Sequence, residues 1–455
     1  MRDADRRRLS PERVPQELLL PKLPAGAATR LRPVFSLLRR RDFALIWTAS
    51  LISATGDWVL LIGLPIYVFQ LTGSTLATSA MFVAELVPQI AFGSVAGVFV
   101  DRWDRKRTMV IANLILTVAI LPLAVVRSAD DVWIVYIVAF TESLVARFLR
   151  PAEGAMLPRL VDKSDLVAAN ALGSFASNTS RLVGPTIGGV IAGIYGLTAV
   201  AGFDSVTFAI AAALVALVRT SGAPERSETR DASAVAAGRL RAFWREWLDG
   251  LSLVARSRTI RVLFVLAALS ALGEGMMSVL FVVWINRVIG GTALELGWFM
   301  TAQAVGGLVG GLFVAQLTRG APPRRVLGIA SIAFGSLDAL LFISPLVRPE
   351  IVIGLVIIAI VGVTTVAFGA SFNAILQTSA EDAYRGRLLG AIFTTMALLR
   401  LASTVLAGFL GAVVSPIPLL VAFQAGSYVA LGLVALGFLP HEAGRERDGL
   451  VREPA

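Results

Sequence analysis

Apolar residues run along this chain in long stretches separated by short polar breaks. Windows of spanning length fall at 43–71, 76–100, 108–126, 132–152, 166–195, 198–219, 262–289, 294–317, 326–347, 351–375, 387–414 and 417–439. Each is near the roughly 20 residues that cross a bilayer. Each is expected to be helical, because hydrocarbon offers no partners for free backbone groups. The pattern predicts an all-α polytopic membrane protein with twelve transmembrane helices.

The polar breaks alternate in charge. One set holds Arg102 to Arg107, Arg159 with Lys163, Arg219 to Arg261, Arg319 to Arg325, and Arg385 with Arg387. The alternating set is nearly bare: Gly73-Ser74, Tyr195-Gly196 and Ser415-Pro416 carry no charge, and Arg127, Arg287 and Arg348 are exceptions. Excess Arg and Lys mark cytoplasmic loops. The basic set and both termini are therefore expected in the cytoplasm, with the protein in the inner (plasma) membrane. The Arg-rich start lacks the short apolar core of a signal peptide.

The two groups of spans repeat each other. Ser53-Ala54-Thr55-Gly56-Asp57 matches Ser270-Ala271-Leu272-Gly273-Glu274, and Arg181-Leu182 matches Arg400-Leu401. Gly154 to Pro158 echoes Asn373 to Gln377 at nearly the same offset. The expected organisation is a basic tail (1–41), a six-helix bundle (42–219), a cytoplasmic loop (220–261), a second bundle (262–440) and a C-terminal tail (441–455). Paired halves with a site at their interface are the architecture such duplication implies. The loop ends in an amphipathic piece with Trp244, Trp247, Leu248, Leu251 and Val254, which lies in the membrane interface or serves as a plain tether.

Composition narrows the chemistry. The chain has 455 residues, 56% hydrophobic and 16% charged, with mean hydropathy +0.76. Soluble chains carry about 25% charged residues. Net charge is +10, but it sits in the loops, so it reads as topogenic and not as a nucleic-acid surface. Cys is absent and the single His441 lies beyond the last span, which excludes disulfides, thiolate metal sites and a buried His relay. No phosphate-binding loop and no nucleophile–base constellation is present, so neither an ATP engine nor an enzyme is expected.

Charges inside the spans stand out. Asp57, Glu85, Glu142 and Glu274 fall well within them, and Arg181 and Arg400 near their centres. A charge at midbilayer costs at least about 2.5–3.5 kcal/mol. These groups are therefore expected to face a wet cavity or each other. Polar stripes agree: Ser50, Ser53 and Asp57 on the first span, Glu85 and Gln89 on the second, Asn178 and Arg181 on the fifth. Burial favours a protonated carboxyl and a nearby Arg favours the ionised form. An acid whose Arg moves away would load and release protons. Asp57, Glu85, Glu142 and Glu274 are the proton-coupling candidates, with Arg181 and Arg400 as charge partners. A static ion pair that fixes register is the alternative for any one of them. Ser53, Gln89, Asn178, Met277 and Phe281 are candidates for the substrate cavity, although Met and Phe also pack between helices. Trp47 and Trp133, near span ends, read as interfacial anchors.

Two motifs carry a family resemblance. Gly97-Val98-Phe99-Val100-Asp101-Arg102-Trp103-Asp104-Arg105-Lys106-Arg107 closes the second span, and Gly184-Pro185-Thr186-Ile187-Gly188-Gly189 lies inside the fifth. The first resembles the signature loop of the major facilitator superfamily. The second is similar to the Gly-Pro-x-x-Gly-Gly element of its antiporter branches, where the proline permits a kink. With Gly56-Asp57, Leu64-Pro65, Thr72-Gly73-Ser74, Leu157 to Val161, Leu166 to Asn170 and Arg385-Gly386-Arg387, residues 42–440 resemble the macrolide-efflux-like drug/proton antiporters. Arg147 matches the family's proton-transfer arginine only loosely. The resemblance implies two pseudo-symmetric six-helix bundles, alternating access, and a proton gradient in place of any cofactor. It implies that Gly97, Asp101, Arg102 and Arg105 form a cytoplasmic gate. Asp101 would lie against the start of the eleventh helix near Gly386, and Arg102 and Arg105 would bind Glu153 and Asp165. The expected protein is a monomeric proton-coupled exporter of amphipathic small molecules in a lipid bilayer. An uptake carrier or facilitator, and a non-transporting sensor or scaffold, are the alternatives.

Overall fold

The computed structural model describes residues 34–223, 258–318, 320–378 and 382–439. Both tails, the amphipathic piece at 244–254 and Arg319 lie outside the described residues, as do the side chains of Asp382 to Arg387.

The first lobe contains α1 (Arg41–Thr72), α2 (Thr75–Val100), α3 (Arg105–Ala119, prolonged by a 3-10 turn at Leu121–Val125), α4 (Val132–Leu160), α5 (166–195) and α6 (197–216). The second contains α7 (Arg258–Arg287), α8 (Ala293–Leu317), α9 (Pro323–Val347), α10 (Ile351–Thr378), α11 (Asp382–Val413) and α12 (Pro416–Phe438). Turn chemistry sets the ends. Gly73 closes α1 in the left-handed region (φ +60°), and the Ser74 side chain caps α2 by accepting from Ala77 N (3.2 Å). Asp104 caps α3 by accepting from Arg107 N (2.9 Å). Thr292 and Glu295 form a capping box for α8. Between α5 and α6 the chain reverses on one residue, Gly196 (φ 74°, ψ −174°), a conformation reserved for glycine.

The duplication is visible in packing. Gly56 of α1 lies against Asp204 and Thr207 of α6, and Gly273 of α7 lies against Gln424 and Ser427 of α12. In each case the residue after the glycine, Asp57 or Glu274, is half-buried on the neighbouring face. Where α1 meets α5, Gly184 admits Trp58; where α7 meets α11, the small residue is on the other helix, Gly275 against Ser403. Gln424 sits in a π-helical turn (Leu420–Ala425), the one departure from regular helix within α12.

The lobes touch at the end that bears the uncharged loops. There Thr75 Oγ1 of α2 donates to Gly411 O of α11 (3.0 Å), and Ser79 Oγ to Thr404 O (2.7 Å). Thr186 of α5 and Thr301 of α8 share a hydroxyl hydrogen bond (2.7 Å), while Gly189 and Gly297 bring the two backbones together. Arg287, ending α7, donates to Gly73 O (2.9 Å) and covers the Phe69 ring (5.1 Å to its centroid). Toward the basic-loop end the same helices diverge. A Cβ added at Gly93 or Gly97 of α2, Gly173 of α5 or Gly390 of α11 would meet nothing within 4 Å.

One sequence expectation changes here and another gains detail. Helical dihedral angles continue through Pro185, and the non-helical residue within 166–216 is Gly196. Gly184, Pro185, Gly188 and Gly189 form a two-sided packing element. Gly184 and Gly188 take Trp58 and Val59 of α1, and Pro185 and Gly189 meet Gly297 and Ala293 of α8. Trp47 is not a free interfacial anchor: its Nε1 donates to Leu172 O (2.8 Å) and its ring joins the cavity wall.

Candidate functional site

A cavity of about 520 Å³ opens inside the first lobe, a size suited to a drug-like molecule. The residues that line it come from α1 to α6. It lies among α1, α2, α4 and α5, on the first lobe's side of the seam that Arg400 of α11 shares with Glu85.

Four candidates from the sequence reach its wall: Ser53 and Asp57 from α1, Glu85 from α2 and Glu142 from α4. Glu153 of α4 joins them, accepting a hydrogen bond from Ser50 Oγ (3.2 Å). Two arginines complete the polar wall: Arg147, a loose match to the family's proton-transfer arginine in the sequence, and Arg150, which the sequence reading did not single out. Arg150 faces Asp57 and Glu153, and Arg147 faces Glu85. Both lie on α4 within the expected fourth span, and the helix continues past its expected end at 152 to Leu160. The remaining wall is aromatic and apolar, including Trp58, Leu64 and Phe208.

The other candidates are distributed around this cavity. Gln89 on α2 and Asn178 and Arg181 on α5 are exposed and lie outside its wall. Arg181 sits one turn from Pro185, which touches α8, and one turn from Ser177, which lines the cavity. No carboxylate among the described residues pairs with it. Arg400 of α11 is its repeat mate but behaves differently. It is half-buried between Glu85 of the first lobe and Glu274 of the second, so its charge reaches both across the seam. Glu274 also faces the Tyr428 hydroxyl.

Phe281 is not a cavity residue. It is 2% exposed, stacked on Trp284 (5.6 Å) and edge-to-face with Phe299 (5.9 Å), because Trp284, Phe299 and Phe342 converge there to fill the second lobe. Met277 is half-buried against the same core. Among the described residues no hydrogen bond or ion pair joins Arg102 or Arg105 to Glu153 or Asp165, and the side chains around Gly386 lie outside the described residues. Asp101 is exposed, and a Cβ added at Gly97 would meet nothing within 4 Å. Asp165 is taken by Arg40 (2.7 Å), and Glu153 by the cavity, so neither serves Arg102 or Arg105. Arg105 N instead donates to Gly222 O (2.9 Å), and Trp103 stacks on Phe148 (5.8 Å), docking the loop on its own lobe.

Two buried acids were missed. Asp204 of α6 is 0% exposed and Asp338 of α9 is 2% exposed. Asp338 accepts from Gln424 Nε2 (3.0 Å), and Asp204 Oδ1 accepts from Thr207 Oγ1 (3.1 Å). Among the described residues no group of three or more His, Cys, Asp or Glu has the arrangement of a metal site.

Two six-helix lobes sealed at one end and splayed at the other, with a charged cavity at membrane depth, define a polytopic membrane transporter. Residues 46–403 match the profile of the Major Facilitator Superfamily, and the chain belongs to that family. It is 25% identical to macrolide efflux protein A of Streptococcus pyogenes over 358 residues, covering 78% of this chain and 86% of that protein. It is 30% identical to the multidrug efflux pump Tap of Mycolicibacterium fortuitum over 368 residues, covering 78% and 85%. Among solved structures it resembles a bacterial homologue of the iron transporter ferroportin in its inward-facing state (TM-score 0.68, 15% identity, 88% of this chain and 99% of that one). It also resembles the nucleoside transporter NupG (TM-score 0.67, 13% identity, 88% and 100%).

Proposed function

We propose that this protein is a proton-coupled exporter of amphipathic small molecules, working as a monomer by alternating access in the plasma membrane. The observation that carries the reading is the cavity of the first lobe, where Asp57, Glu85, Glu142 and Glu153 share one wall with Arg147 and Arg150. Carboxyls held in a low-dielectric space beside movable cations exchange protons as their surroundings change. The aromatic and aliphatic part of the wall gives an amphipathic molecule its apolar contact. The efflux relatives support the direction of transport.

The basic-loop end is the cytoplasmic end in this reading. The described state is then open inward, with both termini in the cytoplasm. The gate at Gly97, Asp101, Arg102 and Arg105 closes in the opposite state, where α2 and α11 meet at the glycines that now face open space. The proton gradient supplies the driving force and no cofactor is needed.

Reconstitution tests the proposal. Purified protein in proteoliposomes is expected to move erythromycin against its gradient when a pH gradient is imposed and to stop when the gradient is collapsed. In Asp57→Asn the pH gradient no longer drives transport, while erythromycin binding persists. Accumulation in the direction of proton entry would instead identify an uptake carrier. No movement of erythromycin, of a fluorescent dye or of a siderophore under any gradient would leave a sensor or scaffold.

A further inference from the structure

The interior of the first lobe holds more carboxyls than cations. Asp57 of α1, Glu142 of α4 and Asp204 of α6 lie close enough that the charge of each reaches another. Glu85 of α2 acts on both Asp57 and Glu142, and is itself answered by Arg147 and Arg400. Arg150 answers Asp57. Asp57 acts on Asp204, Asp204 in turn acts on Glu142, and among the described residues no cation is placed against Asp204.

Asp204 has no surface of its own. Thr207 supplies one hydrogen bond to Oδ1, Gly56 lies directly against that same oxygen, and Oδ2 has no hydrogen-bond partner among the described residues. The second lobe handles the equivalent place differently. Behind Gly273 and Glu274 stands Gln424, an amide, in the position that Asp204 takes behind Gly56 and Asp57. The buried acid of that lobe, Asp338, receives the Gln424 amide, and Glu274 has Arg400 and Tyr428. Each buried acid of the second lobe therefore has an amide, a hydroxyl or a cation facing it, whereas Asp204 of the first lobe has the Thr207 hydroxyl alone. An ionised carboxylate with one hydrogen bond, no cation and two acidic neighbours is far costlier than a neutral carboxyl.

We infer that Asp204 carries a proton and is the inner site of a relay whose outer members, Asp57 and Glu142, line the cavity. The inference rests on the proton-coupled reading above. In the relay step the O–H bond of Asp204 breaks, the proton bonds to the ionised Asp57 carboxylate, and the negative charge passes to Asp204. A proton entering from the cavity through Asp57 or Glu142 reverses it. Asp204 is a positioning and storage residue here, since it does not touch the cavity space.

Proton counting on the full chain tests this without a known substrate. Wild type and Asp204→Asn are titrated in detergent between about pH 5 and about pH 9, the range in which buried carboxyls exchange protons. D204N is expected to take up about one proton fewer per chain, and Asp204→Gln, which copies the second lobe, is expected to do the same. Thr207→Val, which keeps the carboxyl, retains the wild-type count. In proteoliposomes D204N loses erythromycin transport driven by a pH gradient but keeps erythromycin exchange at equal pH. Unchanged proton uptake in D204N and D204Q overturns the inference. So does a protonated-aspartate carbonyl band missing from the infrared spectrum of wild type bearing isotope-labelled aspartate, the measurement that decides if neither amide variant folds. A wild type indifferent to the gradient sinks the coupling reading, and the titration still decides Asp204 by itself.

Discussion

Arg287 breaks the rule that keeps positive charge out of the uncharged loops, and the structure accounts for it. Its guanidinium reaches from the end of α7 to Gly73 O (2.9 Å) and lies over Phe69 (5.1 Å), both in the other lobe. Replacing it with alanine removes a charge-assisted hydrogen bond, worth about 1.5–3 kcal/mol where fully formed. A cation–π contact of about 0.5–1 kcal/mol goes with it. Arg287 is exposed, so solvent screening reduces the total to about 1–2 kcal/mol. That is about a 5- to 30-fold shift of the equilibrium away from the state sealed at this end. The chain lacks cysteine, so one can be placed at will. Ser79 is 2% exposed inside the seam. In a Ser79→Cys background, an impermeant maleimide added from the side of the uncharged loops is expected to react about 5- to 30-fold faster when Arg287→Ala is present. Arg287→Lys, which keeps charge but loses the planar fork, falls between them. Labelling rates equal in all three backgrounds would refute the argument that Arg287 holds the lobes together.

Three further outcomes are expected. Gly97→Leu should leave the thermal unfolding temperature unchanged, since nothing lies within 4 Å of its missing side chain, yet abolish erythromycin transport in proteoliposomes by blocking closure at the basic-loop end. Gly297→Val drives a side chain into Pro185 O, so a Thr186→Cys/Thr301→Cys pair, whose parent hydroxyls are 2.7 Å apart, should cross-link readily without it and poorly with it, as read by gel mobility. Gly196→Ala puts a side chain where only glycine is relaxed (φ 74°) and should destabilise the chain by about 1–3 kcal/mol, read as earlier unfolding in a thermal scan.

Spans and repeat were legible because both depend on local pattern. Hydrophobic length marks a helix in lipid whatever its neighbours, and Gly56-Asp57 repeats as Gly273-Glu274 in residues next to each other in the chain. What a side chain faces depends on helices far away in sequence. Phe281 followed Glu274 in a stretch of Met and aromatics that suited a cavity as well as a core. Trp284 beside it and Phe299 and Phe342 from other helices decide for the core. Asp204 and Asp338 were within reach of the rule that an ionisable residue inside a span has a role. They were passed over although Thr207 shares the face of Asp204, because the helices that bury them, α1 and α12, are far away in sequence. The gate motif was legible as a loop, but the partners it docks on, Phe148 and Gly222, lie far from it in sequence.

The connections at the sealed end have a practical consequence. Gly73 and Ser74 join α1 to α2, Gly196 alone joins α5 to α6, and Val414 and Ser415 join α11 to α12. These three connections offer little for an antibody fragment to grip and little slack for a grafted epitope. Affinity reagents belong instead at the exposed Arg127-Ser128-Ala129-Asp130 break between α3 and α4, or at the opposite face, where the loop between α2 and α3 presents Asp101 and Trp103.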